Sequence, residues 1–287
     1  MSVLKIGNWS FELGKKTLIM GILNVTPDSF SDGGEFFSVK NAVDHALQMQ
    51  KDGADIIDVG GESTRPGSNP ISIDEESTRV IPVVEELVKK INIPISVDTY
   101  KSEIAKKTLD IGAGMINDIT ALQGDKKLVD IIKEHNVPVC LMHMKGKPGD
   151  MQKNPQYTDV VTEIHDFLKE RTKYATSQGI KKENIIVDPG IGFGKRTGNG
   201  IEDNCEILNR LIELKDLGFP IMVGASRKAF IGNICCKKKK LPISERLEGS
   251  LAAACIAAMN SADIIRVHDV KETRRCLDVV DSILLND

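Results

Sequence analysis

Eight short apolar runs, partly β-branched, recur along the chain at residues 18–23, 55–59, 95–97, 114–116, 138–142, 185–187, 221–223 and 264–267. Stretches of helical period follow them at 39–50, 74–90, 101–111, 127–135, 158–178, 204–217, 246–259 and 270–285. Parallel strands need a long crossover between neighbours, and a helix is the usual way to supply it. Alternation of this kind therefore predicts a parallel sheet, and eight units predict closure into a barrel rather than an open doubly wound sheet. The expected class is α/β, a (β/α)8 TIM barrel. Ahead of it, VLKI and WSFEL flank Gly7-Asn8 and predict a short N-terminal β-hairpin. Gly53, Gly112, Gly179 and Gly218 fall where helices should stop.

Composition narrows the function classes. The 287 residues contain no linker rich in Pro, Gly or Ser, and barrels of about 250 residues commonly form one domain, so residues 1–287 are expected to be a single domain. A formal net charge of −3 gives no broad positive field, which argues against nucleic acid. The lysine run at 237–240 has no interleaved aromatics and reads as a solvated loop. Six cysteines include no CxxC pair, as reduced thiols in a cytoplasmic protein would. No apolar run reaches the roughly 18 residues of a membrane span, and the amino terminus lacks a signal-peptide plan.

The polar residues gather at the carboxyl ends of the expected strands. The first run leads into NVTPDSFSDGG, the second into GGESTRPG, and the third to fifth into Asp98-Thr99, Asn117-Asp118 and His143-Met144. The last three lead into DPGIGFGK, GASRK and RVHD. In a barrel all eight ends meet at one face, where active sites of this architecture are built. Any one Asp or Asn after a strand is an ordinary helix cap. Eight such ends together are not.

Two chemistries separate. Asp98, Asn117 and Asp188 supply carboxylate and amide groups suited to a flat heterocycle with adjacent N–H donors, since a carboxylate accepts two parallel hydrogen bonds. Arg65, Lys228, Arg266 and His268 supply cations and donors for an anionic group. Asn24 adds a hard oxygen of the kind that holds Mg2+ against substrate phosphates. The ligand so described is half heterocycle and half phosphate.

These segments resemble the dihydropteroate synthase family, through NVTPDSFSDGG, DVGGESTRPG, VDTYK, MINDI, CLMHM, DPGIGFGK, GASRK, ERLEGSLAAA and RVHDV in order over almost the whole chain. The resemblance implies that Asp98, Asn117 and Asp188 hold a pterin ring, with Lys228 on its carbonyl side and Met142, Gly192, Phe193 and Gly224 lining the slot. Core packing alone is the rival reading for Met142 and Phe193. It further implies Mg2+ on Asn24, a diphosphate met by Thr64, Arg65, Arg266 and His268, and a 4-aminobenzoate pocket near Phe30, Ser31, Pro66, Ser226 and Lys228. His268 read alone is equally a cap of the last helix.

In this reading the loop after the first strand and the segment 63–66 are mobile lids, with Gly33-Gly34 as hinge or ordinary turn. Asp32 is the candidate for stabilising the closed loop and the cationic intermediate. The implied reaction joins dihydropterin-hydroxymethyl diphosphate to 4-aminobenzoate with loss of pyrophosphate, by a dissociative path. Implied too are competition by sulfonamides and a homodimer through outer helices. Two departures stand out: RTGNGIEDN after Lys195 is longer than the family's usual link, and CCKKKK follows Gly232. The rivals are a methyltetrahydrofolate:corrinoid methyltransferase, which needs no diphosphate site, and a catalytically silent pterin-binding protein.

Overall fold

Leu4 and Ile6, from a hairpin at the very start of the chain, are buried among residues of seven barrel strands, and they show how the molecule is put together. The computed structural model describes residues 3–26, 34–65, 67–198, 200–236 and 240–285. The hairpin is β1 (Val3–Ile6) and β2 (Trp9–Glu12), paired so that Gly7-Asn8 forms the turn. Then come β3 (Leu18–Asn24), α1 (Gly34–Lys51), β4 (Ile56–Gly60), α2 (Ile73–Lys90), β5 (Ile95–Asp98) and α3 (Ser102–Ile111). The middle of the chain forms β6 (Met115–Asp118), α4 (Leu128–His135), β7 (Val139–Met142), α5 (Val160–Ser177) and β8 (Ile185–Asp188). The rest forms β9 (Thr197–Gly198), β10 (Ile201–Glu202), α6 (Asp203–Asn209), β11 (Met222–Val223), α7 (Ala229–Cys235), α8 (Leu247–Met259), β12 (Ile264–Val267) and α9 (Val270–Leu284).

Eight strands hydrogen-bond in the order β11-β12-β3-β4-β5-β6-β7-β8, all parallel, and a parallel bridge from Val187 to Ile221 joins the two ends. The chain is thus the expected (β/α)8 barrel with its N-terminal hairpin. Side chains alternate across each strand, so every second residue points inward. The lower inward layer is apolar: Leu18, Met20, Ile56, Met115, Ile186 and Ile264 pack with the hairpin residues Leu4 and Ile6. Two positions further along the same strands, the inward residues are Asp58, Asn117, Asp188 and Arg266. The hairpin seals one end of the barrel with hydrocarbon, and the polar chemistry is confined to the other.

The outward faces pack against the helices in a second core that includes Val59, Val83, Val84, Ile104, Ile164 and Leu168. Ser72 starts α2 by accepting from the Glu75 amide at 3.1 Å, and Asp159 starts α5 by accepting from Thr162 at 2.8 Å. Gly53, Gly112, Gly179 and Gly218 all have positive φ, the left-handed conformation that ends a helix without steric cost.

Two local expectations need correction. The helix expected from 39 begins at Gly34. The helix expected over 204–217 breaks after Asn209 into a 3-10 segment, Leu211–Leu217, because Leu211 and Leu214 are buried at the three-residue repeat of that tighter helix. Within the long link after Lys195, β9 pairs with β10, and the pair is clasped at its base by the Arg196–Asp203 ion pair at 2.9 Å.

Candidate active site

At the carboxyl ends of the strands a pocket of about 380 Å³ is lined by Thr64, Asp98, Asn117, Met142, Asp188 and Phe193, closed by Gly224, Lys228 and Arg266. A larger hollow of about 600 Å³ lies at the opposite end, around Thr17, Asp263 and Leu284, and contains none of the strand-end chemistry. The smaller one is the candidate site. Ile119, Gly190 and Ile191 also line it, which the sequence pattern did not signal.

The anionic side is built on β4, β5, β6 and β8. Asp98 accepts from Arg266 Nη2 at 2.8 Å, and Asp188 accepts the Gly190 amide at 2.7 Å. Burial pushes the Asp188 carboxyl up to about 6, against the opposing pull of the Gly190 amide and of Lys228 and Arg266. Burial raises Asp98 as well, although Arg266 pulls the other way.

Asp58 is the functional residue that sequence reasoning missed. It is fully buried on β4, and its Oδ2 accepts from Arg266 Nε at 2.6 Å and Asn117 Nδ2 at 3.0 Å. The available signal was a charge at the inward period of an apolar strand, where burial is expensive.

The cationic side comes from β12 and the turn after β11. Burial works against the Arg266 cation, but Asp58 and Asp98 more than offset it, and its pKa stands above the ordinary arginine value. Lys228 lies with Nζ 4.1 Å from the centre of the Phe193 ring; burial and Arg266 lower it to about 8, with Asp188 and Asp98 opposing. The turn that aims Lys228 is strained: Arg227 has φ of 56°, a left-handed conformation rare for a side chain of its size. Its guanidinium pairs with Asp269, its amide donates to Ser250 Oγ at 2.9 Å, and its carbonyl accepts from Arg246 at 2.9 Å.

Of the cation and donor roles that the sequence allows in this group, burial gives His268 the neutral one. Burial first, then Arg266 and Arg227, lower it to about 3, so the ring is neutral at pH 7. Ser226 Oγ accepts from the His268 amide at 3.2 Å and lies 3.0 Å from Nδ1. Where the Ser226 hydroxyl donates to Nδ1, the ring proton of the neutral imidazole stands on Nε2, and His268 is then a neutral donor.

The loop after β8 forms one wall. Gly190, Gly192 and Gly194 have φ of 70°, 80° and 61°, and a Cβ on Gly190 would lie 1.9 Å from the His143 carbonyl oxygen. Gly192 packs against the Lys228 side chain, donates to Asn204 Oδ1 at 2.7 Å and accepts from Gln152 at 2.6 Å. Buried Lys195 donates to the carbonyls of Gly190 and Phe193, both at 2.9 Å, and sits 3.0 Å from His143 Nδ1.

The remaining expected residues are less gathered. Asn24 ends β3 in register with Gly60, which in turn pairs with Asp98. Arg65 is exposed beyond Thr64, on a loop anchored by Glu62, whose carboxylate accepts from Lys101 at 2.6 Å. Phe30, Ser31, Asp32, Gly33 and Pro66 lie outside the described residues.

Known proteins match the chain in sequence and in structure. The family described as Pterin binding enzyme matches residues 20–268. A dihydropteroate synthase of Clostridium beijerinckii is 45% identical over 282 residues, 98% of this chain and 99% of the relative. The Yersinia pestis dihydropteroate synthase in complex with a sulfonamide drug superposes with a TM-score of 0.90 at 42% identity, covering 98% of each chain. The Xanthomonas albilineans enzyme in complex with 7,8-dihydropteroate gives 0.86 at 41% identity, again over 98% of each. With identity of this order sustained from end to end, and the same barrel beneath it, the chain belongs to the dihydropteroate synthase family of pterin-binding enzymes.

Proposed function

We propose that the barrel mouth condenses dihydropterin-hydroxymethyl diphosphate with 4-aminobenzoate, yielding 7,8-dihydropteroate and pyrophosphate for folate biosynthesis. One observation carries the assignment of roles: Asp98, Asn117 and Asp188 share a single pocket with Lys228 and Arg266. That is an acceptor set for a heterocycle beside a cationic set for its tail. A corrinoid methyltransferase has no use for the second set, and a silent binder has no reason to bury it.

Asp188 and Asn117 grip the ring, and Met142 and Phe193 flank it. The exocyclic carbon–oxygen bond breaks and the diphosphate leaves with the bonding electrons. The ring takes up the positive charge, and ionised Asp98 and Asp188 stabilise it. Arg266, Lys228 and the neutral donor His268 receive the diphosphate side, joined by Thr64 and, when its loop closes, Arg65. The arylamine of 4-aminobenzoate is uncharged at pH 7, so it attacks the carbon without a strong base and then loses a proton. By the family resemblance Phe30, Ser31 and Pro66 meet 4-aminobenzoate and Asp32 stabilises the cation, while Ser226 contacts the His268 ring.

Asn24 is the residue that would hold Mg2+. It offers one neutral oxygen, and no cluster of three His, Cys, Asp or Glu side chains stands ready among the described residues. Such a donor set fits an ion that completes its shell from phosphate oxygens and water. When bound, Mg2+ supplies positive charge beside the diphosphate.

The test is direct. The protein, the pterin diphosphate, 4-aminobenzoate and Mg2+ should release pyrophosphate, chelation should stop the release, and a sulfonamide should compete with 4-aminobenzoate. No release from folded protein would reject the reading.

The pH dependence has a definite sign. The ring's donors need ionised acceptors, and Asp188 titrates at about 6 in the free protein, so pterin affinity should fall about tenfold per unit below about pH 6. Stability should move the other way. A carboxyl raised from 3.8 costs the fold nothing while protonated, and its destabilisation grows as pH rises from about 4 to about 6. Calorimetric titration and thermal melts over that range separate the two; parallel trends would count against Asp188 as the ring acceptor.

We read residues 1–287 as one domain residing in the cytoplasm, where six free thiols remain reduced. Among the described residues no helix is long and apolar enough to cross a membrane. Exposed Ile256, Met259, Val279 and Ile283 on α8 and α9 support a homodimer through these outer helices. Sedimentation of wild type should give twice the monomer mass, and Met259→Asp with Val279→Asp should give the monomer.

A further inference from the structure

We infer that Asp58 is a positioning and specificity-determining residue: without touching substrate, its carboxylate sets which end of the Asn117 amide meets the pterin and holds the Arg266 guanidinium across the slot. Both roles presuppose the proposed pterin site. One oxygen, Oδ2, accepts from both partners, Arg266 Nε at 2.6 Å and Asn117 Nδ2 at 3.0 Å. The other, Oδ1, is buried with no protein partner.

The fold has no need of a charge here. Ile56, two residues earlier on the same inward face of β4, packs in the apolar layer, and a branched hydrocarbon at position 58 would extend that layer without burying a carboxylate. What the carboxylate adds is direction. An amide can sit either way round, but a carboxylate only accepts, so Asn117 must turn Nδ2 toward Asp58 and leave Oδ1 for the pocket it lines. A ligand must then bring a donor to that edge, and a ring with an acceptor there is rejected. Arg266 reaches from β12 past β3 to Asp58 on β4 and Asp98 on β5, and with Asp58 removed it would pivot on Asp98 alone.

The experiment uses the full chain, first tested for pyrophosphate release; a wild type that releases none would overturn the functional reading and this role together, whereas the outcomes that follow bear on Asp58 alone. The ligands are 6-hydroxymethylpterin and its lumazine counterpart, in which a carbonyl replaces the amino group. Asp58→Val, which has no acceptor, should lose pterin affinity about 30-fold while the KM for 4-aminobenzoate stays within about twofold. Asp58→Asn keeps an acceptor but can present its own amide either way round, so the preference for pterin over lumazine should fall about tenfold. In an Asn117→Ala background, Asp58→Val should add less than about threefold, because 6-hydroxymethylpterin carries no diphosphate for Arg266 and the loss runs through the Asn117 contact. A folded Asp58→Val with wild-type pterin affinity, an equal rise in the KM for 4-aminobenzoate, or fully additive losses would overturn the inference. If Asp58→Val does not fold, Asp58→Asn decides: an unchanged pterin preference overturns it.

Discussion

Asp188→Asn should lower pterin affinity by roughly 10³-fold while leaving the protein as stable or slightly more so. One carboxylate oxygen is committed to the Gly190 amide at 2.7 Å. An asparagine would keep its oxygen there and turn its NH2 into the pocket, setting donor against donor. The charge-assisted hydrogen bond at the other oxygen would give way to a repulsion. Stability should not follow, because burial already disfavours the ionised acid, which titrates at about 6. Arg65→Lys, on an exposed side chain, should cost less than about tenfold. Calorimetric titration of both variants checks the pair, and comparable losses would remove Asp188 from its role.

Arg266→Met should damage both turnover and fold. Arg266 faces the departing diphosphate and also neutralises Asp58 and Asp98 at 2.6 and 2.8 Å. Removing a preplaced cation from a site of developing negative charge should cut kcat by about 10²- to 10³-fold. Leaving Asp58 buried without its cation should cost about 3 kcal/mol, the low end for a broken buried pair because the Arg266 side chain is 18% exposed. In a chain of this size that lowers Tm by about 5 °C. The double variant Arg266→Met with Asp58→Asn separates the two effects: Tm should largely recover and kcat should not. A single variant that melts like wild type would mean that the pair is not the counter-ion arrangement described.

Much of this molecule was legible before any coordinates. The alternation of β-branched runs with amphipathic stretches determined an eight-unit parallel barrel, because each element carries its own periodicity and its own stop signal, as Gly53, Gly112, Gly179 and Gly218 illustrate. Most of the expected pocket was legible for a related reason. Asp98, Asn117, Asp188 and the GASRK and RVHD segments stand at strand ends, where an accumulation of polar groups exceeds what capping requires.

What the chain order could not express was interaction between strands distant in sequence. Asp58 lies inside an apolar run, and its importance appears only when β12 brings Arg266 across to it from 208 residues away. The charge state of His268 was likewise left open between cation and neutral donor, because a histidine's protonation depends on the burial and neighbouring arginines that packing supplies. The sealing of the barrel floor by Leu4 and Ile6, and the break of the sixth helix after Asn209, were decided in the same way. Local periodicity selects the elements, because it is set by each residue's own neighbours. Electrostatics and closure depend on distances between elements, and those exist only once the barrel has formed.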